Sequence, residues 1–259
     1  MFVTTAGRAD EEAVMLAKRV AEELHIPFIA RKKRSVRDIQ CENGEEDCLV
    51  YGKKRMELYR YNEKEPFFFH PNLAMIRMKR IIRGESDPFL LAGDISAGSS
   101  VLDCTLGLGS DAIVASFAIG AQGRIVALEG NPYLALLVEH GLKMWSDAEE
   151  KLIEAMRRIE VIHADHYEML KSMPDKHFDV VYFDPMFEET IAESHGIKGL
   201  THFAEGKALS MELMEQAKRV ARKRVVLKDH FRSTRFEEFG FDVQKRKTSK
   251  FHFGYISVL

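Results

Sequence analysis

The chain has 259 residues, 46% hydrophobic and 30% charged, with 38 basic against 40 acidic residues and a formal net charge of −2. That length allows one large or two small domains with a core that needs no staples. The near balance of charge excludes a globally basic nucleic-acid binder but leaves room for a local basic patch. Three cysteines, Cys41, Cys48 and Cys104, cannot all pair and match no zinc spacing, so reduced thiols and no metal are expected. No stretch has the basic start and apolar core of a signal peptide or approaches the ~20 apolar residues of a membrane span. The expectation is a cytoplasmic protein with no membrane partner.

Residues 2–31 read as strand, helix, strand, and the helix at 10–24 places Val14, Ala17, Val20, Ala21 and Leu24 on one face behind Asp10 as cap. Residues 32–47 are charged and contain Asn43-Gly44, which reads as a loop. Strands follow at 48–51 and 55–61, then a helix at 71–83 opened by Pro71. After a break at 84–88 the pattern changes to apolar strands alternating with amphipathic helices. Strands are predicted at 99–104, 124–128, 159–163, 178–183 and 224–228, with helices between them and a closing pair of strands at 241–246 and 251–258. The fold class expected is therefore α/β, a mainly parallel seven-stranded sheet with an antiparallel C-terminal hairpin, preceded by a smaller N-terminal α+β region. The division is drawn at residues 1–90 and 91–259.

Three strand ends carry a cofactor pattern. Val101-Leu102-Asp103-Cys104-Thr105-Leu106-Gly107-Leu108-Gly109 leaves a strand and opens a helix. Gly107 and Gly109 allow a sharp turn and close approach of a ligand to free helix amides. The dinucleotide fingerprint is absent, because no glycine follows three positions after Gly-x-Gly. Asp103 is badly placed for a pyrophosphate but well placed for an ammonium, which favours S-adenosylmethionine (SAM) over a nicotinamide cofactor. Glu129, at the next strand tip about 20 residues on, suits two ribose hydroxyls. Asp165, just past the third strand, suits an adenine amino group. His163 and His166 flank it without a third metal ligand.

The fourth strand ends in Asp184-Pro185-Met186-Phe187. An exocyclic amine conjugated to a base ring is a poor nucleophile. The run resembles the Asp/Asn-Pro-Pro-aromatic motif of amino-methyltransferases, with Met186 in place of the second proline, and the resemblance implies that Asp184 and the Pro185 carbonyl accept the two amine hydrogens while Phe187 stacks on the ring. These segments, together with Leu128-Glu129-Gly130-Asn131-Pro132 and Arg224-Val225-Val226-Leu227-Lys228, resemble the bacterial 16S ribosomal RNA guanine-N2 methyltransferases of the small-subunit J type. The resemblance runs over residues ~70–259 and implies a Rossmann-like class I methyltransferase fold. It implies Ser110, Asp111, Glu129, Gly130, Asp165, His166 and Asp184 at cofactor positions, beside Asp103, Gly107 and Gly109. It also implies rRNA methylation as the activity, with ribosomal RNA or the small ribosomal subunit as partner.

The family carries arginine at positions 110 and 130, and its segment after the catalytic motif is basic. Here residues 188–195 contain Glu188, Glu189 and Glu193. An acidic rim repels phosphate, which keeps open a second reading: N-methylation of a protein or small-molecule amine. Positive runs that could hold phosphates occur at Arg31–Arg34 with Arg37, at Arg77, Lys79, Arg80 and Arg83, and at Lys245, Arg246, Lys247 and Lys250. Phe67, Phe68 and Phe69 read as packing rather than base stacking. Lys228 is expected to face the active site or a substrate phosphate.

Overall fold

The computed structural model describes residues 1–185 and 209–258. In chain order the elements are β1 (Phe2–Thr5), α1 (Glu11–Glu23), α2 (Val36–Glu42), β2 (Cys48–Tyr51), β3 (Met56–Tyr59), β4 (Phe67–Phe68), α3 (Asn72–Ile82) and α4 (Pro88–Gly93). There follow β5 (Ser100–Asp103), α5 (Ser110–Ile119), β6 (Arg124–Glu129), α6 (Pro132–Met144), α7 (Glu150–Arg157), β7 (Glu160–His163), α8 (His166–Ser172) and β8 (Phe178–Phe183). The last are α9 (Met211–Val220), β9 (Ala221–His230), α10 (Arg235–Glu238), β10 (Asp242–Gln244) and β11 (Phe251–Ser257).

One unit comprises residues 1–70 and 132–147. Its four-stranded sheet has the order β1-β2-β3-β4, with β1 and β2 parallel and the other pairs antiparallel. Phe2, Val36, Ile39, Cys48 and Val50 form its core. Asp10 caps α1 as expected, accepting from the Ala13 N–H. The strand expected near residue 28 is reduced to a single bridge between Val3 and Phe28. The expected loop at 32–47 contains α2, started by a capping box in which Ser35 and Asp38 bond each other's backbone. Dense charge masked the short face made by Val36, Ile39 and Gln40, all buried. α6 belongs to this unit and packs closely on Phe69: a Cβ at Gly141 would lie 2.3 Å from its ring.

The second unit comprises residues 71–131 and 148–259. Its seven-stranded sheet has the order β10-β11-β9-β8-β5-β6-β7. Strands β5 to β9 pair in parallel and β11 runs antiparallel between β9 and β10, as the alternating pattern predicts. The order reverses between β5 and β8. Successive crossovers leave in opposite directions there and open a crevice at the carboxyl ends of the strands. Helix α4 occupies part of the expected break, with Asp87 as cap and Pro88 in the first turn. Beneath the crevice, Leu102, Val126, Leu128, Val181, Phe183, Val225 and Leu227 belong to one buried cluster.

Candidate active site

Parallel register brings the predicted residues to one edge of the sheet. Asp103 ends β5, Glu129 ends β6, Asp165 follows β7, and Asp184 follows β8, level with Lys228 of β9. The glycine turn is built as expected: Gly107 and Gly109 have φ of 50° and 72°, in the left-handed region that a side chain would resist. The Glu129 carboxylate fixes the loop, one oxygen accepting from Gly107 N–H at 3.1 Å and the other from Asn131 N–H at 3.0 Å. A carboxylate has about four acceptor positions, so both oxygens retain capacity for hydroxyl donors. Burial raises the Glu129 carboxyl above its ordinary range.

Asp103 is 2% exposed and accepts from the Thr105 N–H at 3.0 Å. Burial pushes its carboxyl up to about 8, with the neighbouring Asp111 and Asp184 adding to the effect. Asp103 forms no ion pair among the described residues, and the ammonium of SAM has the chemistry to supply one. Ser110 fits the same reading. Its Oγ, in the first turn of α5, is buried with no hydrogen-bond partner among the described residues. Gly130 accepts from His163 Nε2 at 3.1 Å, and Asp165 caps α8 through the Glu168 N–H. His166, 8% exposed, lies edge-on to Phe183.

Behind these residues lies an ionic chain that sequence reasoning mostly missed. Arg77 from α3 donates two bonds of 2.8 Å to Asp87 and one of 2.5 Å to Asp111. Asp111 accepts also from the Tyr182 hydroxyl at 3.0 Å and from Lys228 at 3.1 Å, and Lys228 reaches Asp184 at 2.5 Å. Burial opposes ionisation of Asp111, yet Lys228 and Arg77 hold it well below the usual carboxylate range. Both Asp111 oxygens are thus committed to protein partners. Burial raises Asp184 to about 6, against the opposite pull of Lys228. The Asp184 N–H donates to Thr105 Oγ1 at 2.6 Å, and that hydroxyl also lies 3.5 Å from Asp103, so one threonine joins the two acids.

Lys228 faces the site rather than standing clear of it. Arg77, expected among the exposed positive residues, is spent inside. Arg31, partly buried, bonds the carbonyls of Thr5 and Arg34, and Arg34 pairs with Glu42 at the surface. Asp87 and Tyr182 were not foreseen. A tyrosine inside the apolar run 180–183 was the available signal, since a buried hydroxyl needs a partner. Of the catalytic motif, Asp184 and Pro185 are described, while Phe187 and the acidic residues 188–195 lie outside the described residues. Among the described residues no histidine, cysteine or carboxylate cluster suited to a metal occurs, and no helix is long and apolar enough to cross a membrane.

The family model described as "Putative SAM-dependent methyltransferase" matches residues 33–252. The protein YpiP of Bacillus subtilis (strain 168) is 48% identical over 255 residues, covering 98% of each chain. The ribosomal RNA small subunit methyltransferase J of Haemophilus influenzae (strain PittGG) is 32% identical over 189 residues, 70% of this chain and 72% of that one. A crystal structure of a SAM-dependent methyltransferase from Neisseria gonorrhoeae superposes with a TM-score of 0.66 at 18% identity, covering 100% of this chain and 96% of that one, and shares the fold. The glycine turn, the strand-end acids and these relatives agree: the chain belongs to the SAM-dependent methyltransferases.

Proposed function

We propose that this methyltransferase transfers the methyl group of SAM to the exocyclic N2 amine of a guanine in small-subunit ribosomal RNA, in the cytoplasm. The observation that carries the reading is Asp184, a half-buried carboxylate just past the end of β8 with one oxygen held by Lys228 and its backbone tied to Thr105. The 32% identity to ribosomal RNA small subunit methyltransferase J supports RNA as the substrate class.

Bound SAM supplies a methyl group activated by its sulfonium. In this reading Asp103 takes the ammonium of SAM, Glu129 its ribose hydroxyls and Asp165 its adenine amino group. Gly107, Gly109, Ser110, Gly130 and His166 line the same cradle. Asp111 acts at the start of α5 by holding Lys228 and Arg77 in place, so its carboxylate contributes through other residues. Asp184 and the Pro185 carbonyl accept the two amine hydrogens, which directs the nitrogen lone pair at the methyl. Phe187 stacks on the guanine. As the nitrogen–carbon bond forms and the carbon–sulfur bond breaks, Asp184 holds the proton that the amine releases. Residues 1–90 help to grip the RNA.

The test is transfer of labelled methyl from SAM to small-subunit particles, and to RNA extracted from a strain lacking this protein, followed by nucleoside analysis. Labelled N2-methylguanine is the expected product. The acidic residues Glu188, Glu189 and Glu193 favour a second reading, an amine on a protein or small molecule. Label absent from RNA but present in protein or metabolite fractions, with SAM binding confirmed by calorimetry, would establish that reading instead.

A further inference from the structure

The loop that leaves β9 carries an aromatic and cationic cluster not used by the chemistry above. Phe231 is a large apolar side chain left 44% exposed. His230 lies against it with ring centroids 4.6 Å apart, His252 lies 6.1 Å away, and the Arg232 guanidinium sits 5.1 Å over the ring. Exposure of a phenylalanine costs hydrophobic free energy, and flat rings with guanidinium neighbours offer a face that any nucleobase can stack on.

The cluster is held rigidly. Asp229, 2% exposed, accepts from Ser233 Oγ at 2.7 Å and from Arg235 at 3.1 Å, which pins the loop from below. The Phe231 N–H donates to the Lys250 carbonyl at 2.9 Å, and His252 Nε2 lies 3.2 Å from the Arg246 carbonyl. Both contacts tie the ring cluster to the turn between β10 and β11. That turn presents Lys245, Arg246 and Lys247, all exposed, and none of them forms an ion pair among the described residues. Arg232 is likewise exposed and outside any ion pair there. Unneutralised positive charge beside an exposed stacking face complements a single-stranded polyanion whose bases are unpaired.

Position completes the case. His230 follows Lys228 by two residues of strand, about 7 Å, and Lys228 touches Asp184. The cluster therefore lies beside the mouth of the methyl-transfer site, at the carboxyl end of the same sheet. We infer that Phe231, flanked by His230, His252 and Arg232, is the platform on which an unpaired base neighbouring the target nucleotide stacks, while the Lys245–Arg246–Lys247 turn takes the adjoining phosphates. The inference rests on the RNA reading and names where that RNA is held.

The test measures binding of a short labelled single-stranded RNA by fluorescence anisotropy as a function of salt, for the full chain and for three variants. Phe231→Ala is expected to weaken binding by about tenfold, the scale of one lost base stack, and Phe231→Trp to retain it. The triple variant Lys245→Gln, Arg246→Gln, Lys247→Gln is expected to lower the slope of log affinity against log salt by about 2, three phosphate contacts on a single strand. SAM affinity, measured by calorimetry on the same samples, stays at the parent value and shows that the variants are folded. RNA binding by the parent with unchanged affinity and slope in the variants would overturn the platform and leave the RNA reading standing. Failure of the parent both to bind and to methylate RNA would overturn the two together. Loss of RNA affinity in Phe231→Trp as well as Phe231→Ala would assign Phe231 to loop structure and overturn stacking.

Discussion

Asp103 and Asp184 are neighbours with different proposed roles, and their surroundings separate them. Asp103 has no ion pair among the described residues and sits at about 8, whereas Asp184 is paired with Lys228 and sits at about 6. An acid whose folded value is raised weakens the fold as pH climbs from its unfolded value of 3.8 to its folded value, and adds no further pH dependence above it. With Asp103 in its proposed place at the SAM ammonium, the same shift governs cofactor affinity. Asp103 then holds a proton that an ammonium must displace, so SAM binding should tighten by up to tenfold per pH unit between about pH 6 and about pH 8, and weaken again above that as the ammonium itself deprotonates. Calorimetry in buffers of different ionisation enthalpy should register the released proton, and Asp103→Asn should flatten the profile. A pH-independent affinity in the parent enzyme would remove Asp103 from the ammonium site. Asp184 must be ionised to accept amine hydrogens, so methyl transfer should rise with pH through about 6. Asp184→Ala should abolish transfer, by about 10³-fold or more, with SAM affinity nearly unchanged. Lys228→Met should displace the acidic limb to higher pH, because the carboxylate loses its cation. An unmoved limb in that variant would show that Lys228 does not set the ionisation of Asp184.

Helices α3, α4 and α5 meet strand β9 through one ionic chain, Asp87–Arg77–Asp111–Lys228, rather than through apolar contact alone. Its members are 10, 34 and 117 residues apart in successive pairs. Separations of this kind leave no periodic trace, so the sequence could not announce the chain. The strands that hold it were legible because buried parallel strands are continuous apolar runs, as in 178–183, and the glycine turn was legible because its conformation restricts residue choice. Short helices α2 and α4 were not, since seven and six residues give too few turns for a periodic signal and rest on capping by Ser35 and Asp87. The chain makes a definite prediction. Arg77→Met removes the cation between two buried carboxylates and should cost about 3–5 kcal/mol, measured by urea unfolding. Exposed Arg80, paired with Glu85 at the surface, should cost less than about 1 kcal/mol when changed in the same way. Equal costs at the two positions would mean that Arg77 contributes little beyond a surface pair.

The polypeptide visits its first unit twice. Residues 132–147 return to it after the sheet of the second unit has begun. α6 is the returning element, and its packing there is close: Gly141 leaves no room for a Cβ against Phe69, while His140 lies edge-on to Tyr51 at 5.3 Å. Hydrophobic periodicity marks a helix after β6 but carries no information about which unit its face will join, because an apolar stripe is complementary to any apolar partner. The consequence concerns the protein as a whole. A chain starting at residue 71 keeps every strand of the second sheet and every strand-end acid, yet strips α6 of Phe69, Tyr51 and β3. Leu134, Leu137, Val138 and Leu142 are buried in the intact protein, and those on the Phe69 face would meet water at a cost of ~25 cal/mol per Å². The expected behaviour of this fragment is loss of cooperative thermal unfolding, binding of a hydrophobic dye and weakened SAM affinity, since α6 follows directly from Glu129 and Gly130. A fragment that melts in one sharp transition and binds SAM as tightly as the full chain would show that the cofactor site stands without the first unit, and would confine residues 1–70 to handling substrate.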